Sequence, residues 1–294
     1  MSAVITLTNL TKSYGNSRGI SDINLTIPKG TIYGFLGPNG AGKTTTMSIL
    51  VDLLRPTKGT AEIFGKNTQT DGVHIRKKIG YLAGDMELDG TLTGKQQLEY
   101  FGALRGTYAA AYVNELAEKL DSDLTKKIKT LSRGNKQKIG LISALMHKPE
   151  LLLLDEPTSG LDPLIQEQFN AIIRDHKKAG NTTFISSHIL SEVQELCDHV
   201  AFIKEGTLIA NEPITAIAQD APYEITIVSD DKKLAAKLKK LPEVRASKAQ
   251  HTRFAFTYVG DIGKLLHVVA QYPILDISIT KGDLESTFME FYKD

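Results

Sequence analysis

GPNGAGKT, residues 37–44, follows the apolar run TIYGFL and precedes a stretch in which Met47, Leu50, Leu53 and Leu54 keep helical spacing. Strand, glycine-rich turn and helix in that order make a phosphate-binding loop. Gly37, Gly40 and Gly42, with Pro38, Asn39 and Ala41 between them, let the backbone curl so that its N–H groups point inward. Lys43 then reaches the β and γ oxygens of a triphosphate, Thr44 offers its hydroxyl to Mg²⁺, and Thr45 follows in the same first turn. The positive end of the helix helps to hold the anion.

Downstream, LLLLDEP (151–157) and NTTFISS (181–187) are short apolar runs separated by the helical pattern PLIQEQFNAIIRDHKKAG. Such runs imply a parallel sheet with crossover helices, so the fold class is α/β. Ligands of open α/β sheets sit at the carboxyl ends of strands. Asp155 is therefore placed to hold Mg²⁺, directly or through water, and Glu156 to orient or deprotonate the water that attacks a γ-phosphate. His188 follows the next strand, where a neutral imidazole both donates and accepts. The plainer reading is that Ser186 or Ser187 caps the helix ILSEVQELC and His188 begins it. Tyr14, in KSYGNSRG, is either a stacking platform for a base or a packing tyrosine. In SGLDPLIQEQ, Asp162 before Pro163 is the expected start of a helix. LSRGNKQKIG, residues 131–140, looks like a second glycine turn opening a helix, with Ser132 as its cap.

The chain has 294 residues, 41% of them apolar, enough for one large domain and a small one. A formal charge of +1, from 35 basic and 34 acidic residues, gives no electrostatic footprint for nucleic acid. The single cysteine, Cys197, excludes an internal disulfide and makes a reducing cytoplasm the expected setting. No apolar run approaches the roughly 18 residues of a membrane span, and MSAVITLTNLTKSYG has no pattern of a secretory leader. Residues 85–148 read as a helical insertion, through LTGKQQLEYFGALRG, AAAYVNELAEKL and KQKIGLISALM. After residue 217 the pattern becomes strand (223–229), helix, weak strand (243–249), strand (253–259), helix, strand (274–280), the order of a small ferredoxin-like α+β unit. The expected domains are thus 1–217 and 218–294.

Taken in order, Tyr14, GPNGAGKTT, LSRGNKQ, LLLLDEP, SGLD and His188 resemble the ATP-binding cassette family, specifically the ATP-binding subunits of ABC transporters, over residues 1–217. The segment DLESTFMEFY, residues 283–292, is similar to the ending of cassettes that serve type-two exporters. The resemblance implies an ATPase that uses ATP and Mg²⁺, docks on a separate integral membrane subunit at the inner face of the cell membrane, and drives export. It also gives the second glycine turn a role. Leu131, Ser132, Arg133, Gly134 and Asn135 would close over the ATP held by a second copy of the chain in a head-to-tail dimer, with Asp162 in the neighbouring D-loop. A homodimer would then have two competent sites, and the alternation of open and closed dimers would be driven by ATP.

Two departures from the family pattern stand out. The signature, commonly LSGGQ, has Arg133 and Asn135 here. Where the family has a glutamine after a strand like IGYLPQ, this chain reads IGYLAGD, with Gly84 at the glutamine position and Asp85 next. Asp85 either takes over part of the metal or water contact, or that contact is missing. Competing readings are a soluble cassette protein of translation or DNA repair, which would carry two cassettes or a long coiled coil, and a P-loop kinase, which would have no use for LSRGNKQ. With Glu156 and His188 present, hydrolysis is expected. Asp85→Ala is expected to lower steady-state ATPase turnover; turnover equal to wild type refutes the replacement of the glutamine by Asp85.

Overall fold

In the computed structural model, which describes residues 2–15, 17–216 and 223–281, the chain opens with two long strands, β1 (Ala3–Tyr14) and β2 (Ser17–Pro28). They pair antiparallel through apolar couples such as Ile5 with Ile27 and Leu7 with Leu25. Strand β3 (Ile32–Leu36) is buried along its whole length and runs into the glycine loop. Helix α1 (Lys43–Leu50) starts from Gly42 at φ 111°. A Cβ there would be strained by that φ and would also stand 2.4 Å from Ile20 Cγ2, so glycine is required on both counts.

The expected continuation of this helix through Leu53 does not occur. Asp52 takes a left-handed φ of 60°. The N–H of Leu53 bonds to Ser48 O at 2.9 Å and that of Asp52 to Ile49 O at 3.1 Å, which is a Schellman stop. Leu53, beyond it, is 68% exposed and does not extend the helical stripe. Strands β4 (Lys58–Ile63) and β5 (Lys66–Asn67) complete an antiparallel sheet in the order β2-β1-β4-β5, so β1 and β2 stand outside the parallel sheet. Helix α2 (Gly72–Lys78) leads into β6 (Ile79–Leu82).

Three helices follow: α3 (Gly94–Arg105), α4 (Ala110–Lys119) and α5 (Arg133–Leu145). The first has a full capping box of Thr93 and Gln96, and the last is capped by Ser132. The chain then alternates through β7 (Leu151–Asp155), α6 (Pro163–Lys178), β8 (Thr182–Ser187), α7 (Leu190–Leu196), β9 (His199–Lys204) and β10 (Thr207–Pro213). The second sheet has the order β10-β9-β3-β8-β7-β6, parallel except for β10. Its register sets Leu36 opposite Ser187 and Asp155 opposite Ser186, bringing three strand ends side by side.

Residues Met1–Pro213 and Ile214–Asp294 form two compact units. The second contains β11 (Tyr223–Val228), α8 (Lys232–Leu238), β12 (Val244–Gln250), β13 (Arg253–Tyr258), α9 (Ile262–Val269) and β14 (Asp276–Lys281). Its antiparallel sheet has the order β12-β13-β11-β14, the ferredoxin-like arrangement. Ile225, Ile227, Phe254, Phe256 and Tyr258 on the strands meet Leu234, Leu238, Leu265 and Val269 on the helices in a core of its own. The segment DLESTFMEFY lies outside the described residues.

His147, just after α5, faces Ile79 O through Nε2 at 3.0 Å. Burial, with the Arg105 guanidinium adding to it, pushes its pKa down to about 4, against the opposing effect of the Ile79 carbonyl. The unfolded chain protonates this residue below about pH 6.5 and the folded chain only near 4, so folding stability falls as pH drops through that window. Burial of His176 adds in the same direction. His147→Gln keeps a donor for Ile79 O and removes the titration. Its melting temperature is expected to fall less than that of wild type between pH 7.5 and 5, as measured by circular dichroism.

Candidate nucleotide site

Strand β7 consists of four leucines, Leu151 to Leu154, each fully buried, and a terminal Asp155 that is also 0% exposed. Each leucine contributes roughly 1.5–3 kcal/mol of burial, so the strand end is firmly fixed. A buried carboxylate needs donors. Asp155 Oδ2 accepts from Thr44 Oγ1 at 2.7 Å, and its Oδ1 accepts from the Ser186 hydroxyl. Ser186 in turn accepts from the N–H of Glu156 at 3.0 Å. It therefore does not cap the following helix: α7 has no side-chain cap, and Ser187 instead accepts from the N–H of Ile189 at 2.9 Å.

Lys43 is 5% exposed. Its ammonium donates to Gly37 O at 2.7 Å and Pro38 O at 3.2 Å, and pairs with Glu156 Oε1 at 3.2 Å. The other oxygen of Glu156 meets His188 Nδ1 at 3.1 Å. The glycine loop, Asp155 at the end of β7, Glu156 just after it and the histidine after β8 thus form one connected chain of contacts. His188 contacts Glu156 and lies two residues before α7 (Leu190–Leu196), so it does not begin that helix. The arrangement suits a phosphate: an ammonium and a fan of backbone N–H groups at a helix N-terminus, next to a hydroxyl, a carboxylate and a possible base.

Gly84 belongs to the same cluster. A Cβ at that position would lie 3.2 Å from Asp155 Oδ2. Asp85 is exposed. Tyr14 is 43% exposed with the Lys12 ammonium 5.4 Å from its ring centre, so it is not a core tyrosine. The second glycine turn forms a separate patch. Ser132 accepts from Asn135 N at 3.3 Å and Asn135 Nδ2 at 3.1 Å, and both Ser132 and Arg133 are exposed. A Cβ on Gly134 would come within 2.3 Å of Gly160 O, so this turn lies against SGLD of its own chain, where Asp162 caps α6.

Several contributors escape the sequence reading. Tyr81 has its pKa raised by burial and by the charge of Asp155. Glu192 accepts from Thr158 Oγ1 at 2.8 Å and Ser187 Oγ at 3.1 Å, joining the segments that follow Glu156 and precede His188. Gln137 donates to Glu156 O and Pro157 O. Only the parallel register makes these neighbours. The order of IGYL, LLLLD and TTFISS as strands was the available signal.

The family model of ABC transporters matches residues 20–159. A bacitracin transport ATP-binding protein of Bacillus licheniformis is 35% identical, over 99% of this chain and 97% of its own length. The chain belongs to the ABC transporter family. As a member, this cassette binds ATP and is a transport ATPase. A daunorubicin/doxorubicin resistance ATP-binding protein of Streptomyces peucetius is 36% identical over 70% of this chain and 64% of its own length. Among solved structures, an ATP-binding subunit of an ABC transporter superposes with a TM-score of 0.67 at 25% identity, over 74% of this chain and 92% of that one. Among the described residues, no helix is long and apolar enough to cross a membrane.

Ser186→Ala removes a donor to Asp155 and an acceptor for Glu156 N. It is expected to cost roughly 1–3 kcal/mol of folding stability, read as a lower urea midpoint with unchanged m-value.

Proposed function

We propose that residues 37–45 cradle the triphosphate of ATP and that Lys43 exchanges its pairing with Glu156 for the β and γ phosphates. That exchange leaves Glu156 free to orient and deprotonate the attacking water, with His188 holding the carboxylate from its other side. Thr44 and Asp155 are the residues that would hold Mg²⁺. A hydroxyl and a carboxylate are hard oxygen donors suited to this ion, which takes few protein ligands beside phosphate and water. When bound, Mg²⁺ neutralises charge on the phosphates. Tyr14 stacks on adenine, and Asp85, next to Gly84, takes part of the metal or water contact.

The single observation that carries this reading is the convergence of Lys43 and His188 on the Glu156 carboxylate, beside the Thr44–Asp155 pair. Within the signature turn 131–135, Ser132 and Arg133 are exposed, as is Asp162, and we assign the turn and Asp162 to the site of a second copy, giving a head-to-tail homodimer around two ATP molecules. Export through a separate membrane subunit, with the cassette at the inner face of the membrane, is supported by relatives named for bacitracin transport and for daunorubicin/doxorubicin resistance. Residues 218–294 act as an accessory domain in this scheme.

Glu156→Gln keeps the shape and removes the base. ATP turnover is expected to fall roughly 100-fold or more while nucleotide still binds. With ATP and Mg²⁺ the same variant is expected to elute from a sizing column as a dimer. A variant that binds ATP but stays monomeric counts against the signature turn closing a second copy's site, and wild-type turnover in it counts against Glu156 as the base.

A further inference from the structure

Gln137 lies on α5, five residues after the capping Ser132 of the second glycine turn, or about 7 Å along the helix. Its side chain is 8% exposed. Nε2 donates to Glu156 O at 3.3 Å and to Pro157 O at 3.2 Å, using one amide hydrogen for each carbonyl. Those carbonyls belong to the residue that carries the carboxylate of the site and to its successor. The backbone at Glu156 is unusual, with a φ of 48° in the left-handed region that a β-strand end does not ordinarily occupy and that a glutamate adopts only under constraint.

The constraint has two sides. Ser186 fixes the N–H of Glu156 through its hydroxyl and its carbonyl, at 3.0 and 3.2 Å. Gln137 fixes the carbonyl side. Between them the peptide planes on either side of the Glu156 Cα are held, which is what aims the carboxylate between Lys43 and His188. Ser186 comes from the neighbouring strand, whereas Gln137 comes from the helix whose first turn packs Gly134 against Gly160. We propose that Gln137 is a positioning residue that clamps the backbone of Glu156 in its left-handed conformation and makes the signature turn and the chain's own carboxylate move as one body. This rests on the reading of Glu156 as the base for ATP hydrolysis.

Two full-length variants test it. Gln137→Met keeps length and apolar bulk and loses both donors; Gln137→Glu keeps shape and turns an acceptor toward two carbonyls. Gln137→Met is expected to lower kcat for ATP about 10- to 100-fold per folded chain, with KM for ATP within about twofold, because the phosphate contacts are untouched. Gln137→Glu is expected to be at least as impaired at pH 8 and to recover several-fold relative to Gln137→Met as pH falls to 6, since a protonated carboxyl donates again. A purely structural role would lower the melting temperature and the folded fraction without this pH-dependent difference. Full kcat per folded chain in Gln137→Met, or parallel pH profiles of the two variants, overturns the clamp. Wild-type protein that binds ATP yet does not turn it over overturns the hydrolysis reading and the clamp with it. Unimpaired wild-type turnover alongside an active Gln137→Met overturns the clamp alone.

Discussion

A carboxylate with no exposure to solvent is the constraint around which the first unit is built. Removing such a group from water costs several kcal/mol unless donors replace the lost hydration. Asp155 receives them from Thr44 at the start of α1 and Ser186 at the end of β8. Because both donors are short side chains, their backbones must come close. The three strand ends, the glycine loop and the first turn of α1 are therefore locked to a common point. Gly84 lies against this carboxylate as well, where a Cβ would stand 3.2 Å from Oδ2, a tight contact.

Charge within this cluster is balanced internally. Lys43 is almost fully buried and is compensated by two carbonyls and Glu156, while Glu156 is shared with His188. The site is thus polar, and its charged groups are paired among themselves in contacts that, in the proposed scheme, a triphosphate replaces. Exchange of a carboxylate partner for a phosphate costs little electrostatically because one anion succeeds another. In the scheme proposed above, arrival of the phosphate is what frees Glu156 to act as the base.

Much of this was legible in the sequence, and particular residues show why. GPNGAGKT reads as a phosphate loop because glycine positions and a following helix are local properties. LLLLD and TTFISS read as interior strands because both faces are covered. The ferredoxin-like order of the second unit follows from alternation such as Phe254, Phe256 and Tyr258, all buried on one face. Misreadings arise where local choices compete. Leu53 fits the helical stripe, yet Asp52 accepts a left-handed turn and ends the helix. Ser186 looks like a helix cap and is spent on Asp155 instead. Gln137 and Glu192 are illegible in principle, since each reaches from a helix to the segment that starts at Glu156, which only tertiary packing brings near.

The strand order has a consequence for how the protein is made. Strand β3 lies in the middle of its sheet, between β8 and β9, which follow it by about 150 residues. At roughly 5–20 residues per second of synthesis, the glycine loop waits on the order of 10–30 s for the strands that flank it. During that interval the antiparallel pair β1–β2 has all its partners at hand, but the loop has neither its acid nor its histidine. The nucleotide site is therefore among the last parts of the first unit to come into being, long after its most recognisable sequence has left the ribosome. Pairing across such separations is slow, so a nascent chain leaves the hydrogen-bonding edges of β3 unpaired for longer than those of any other strand in that sheet.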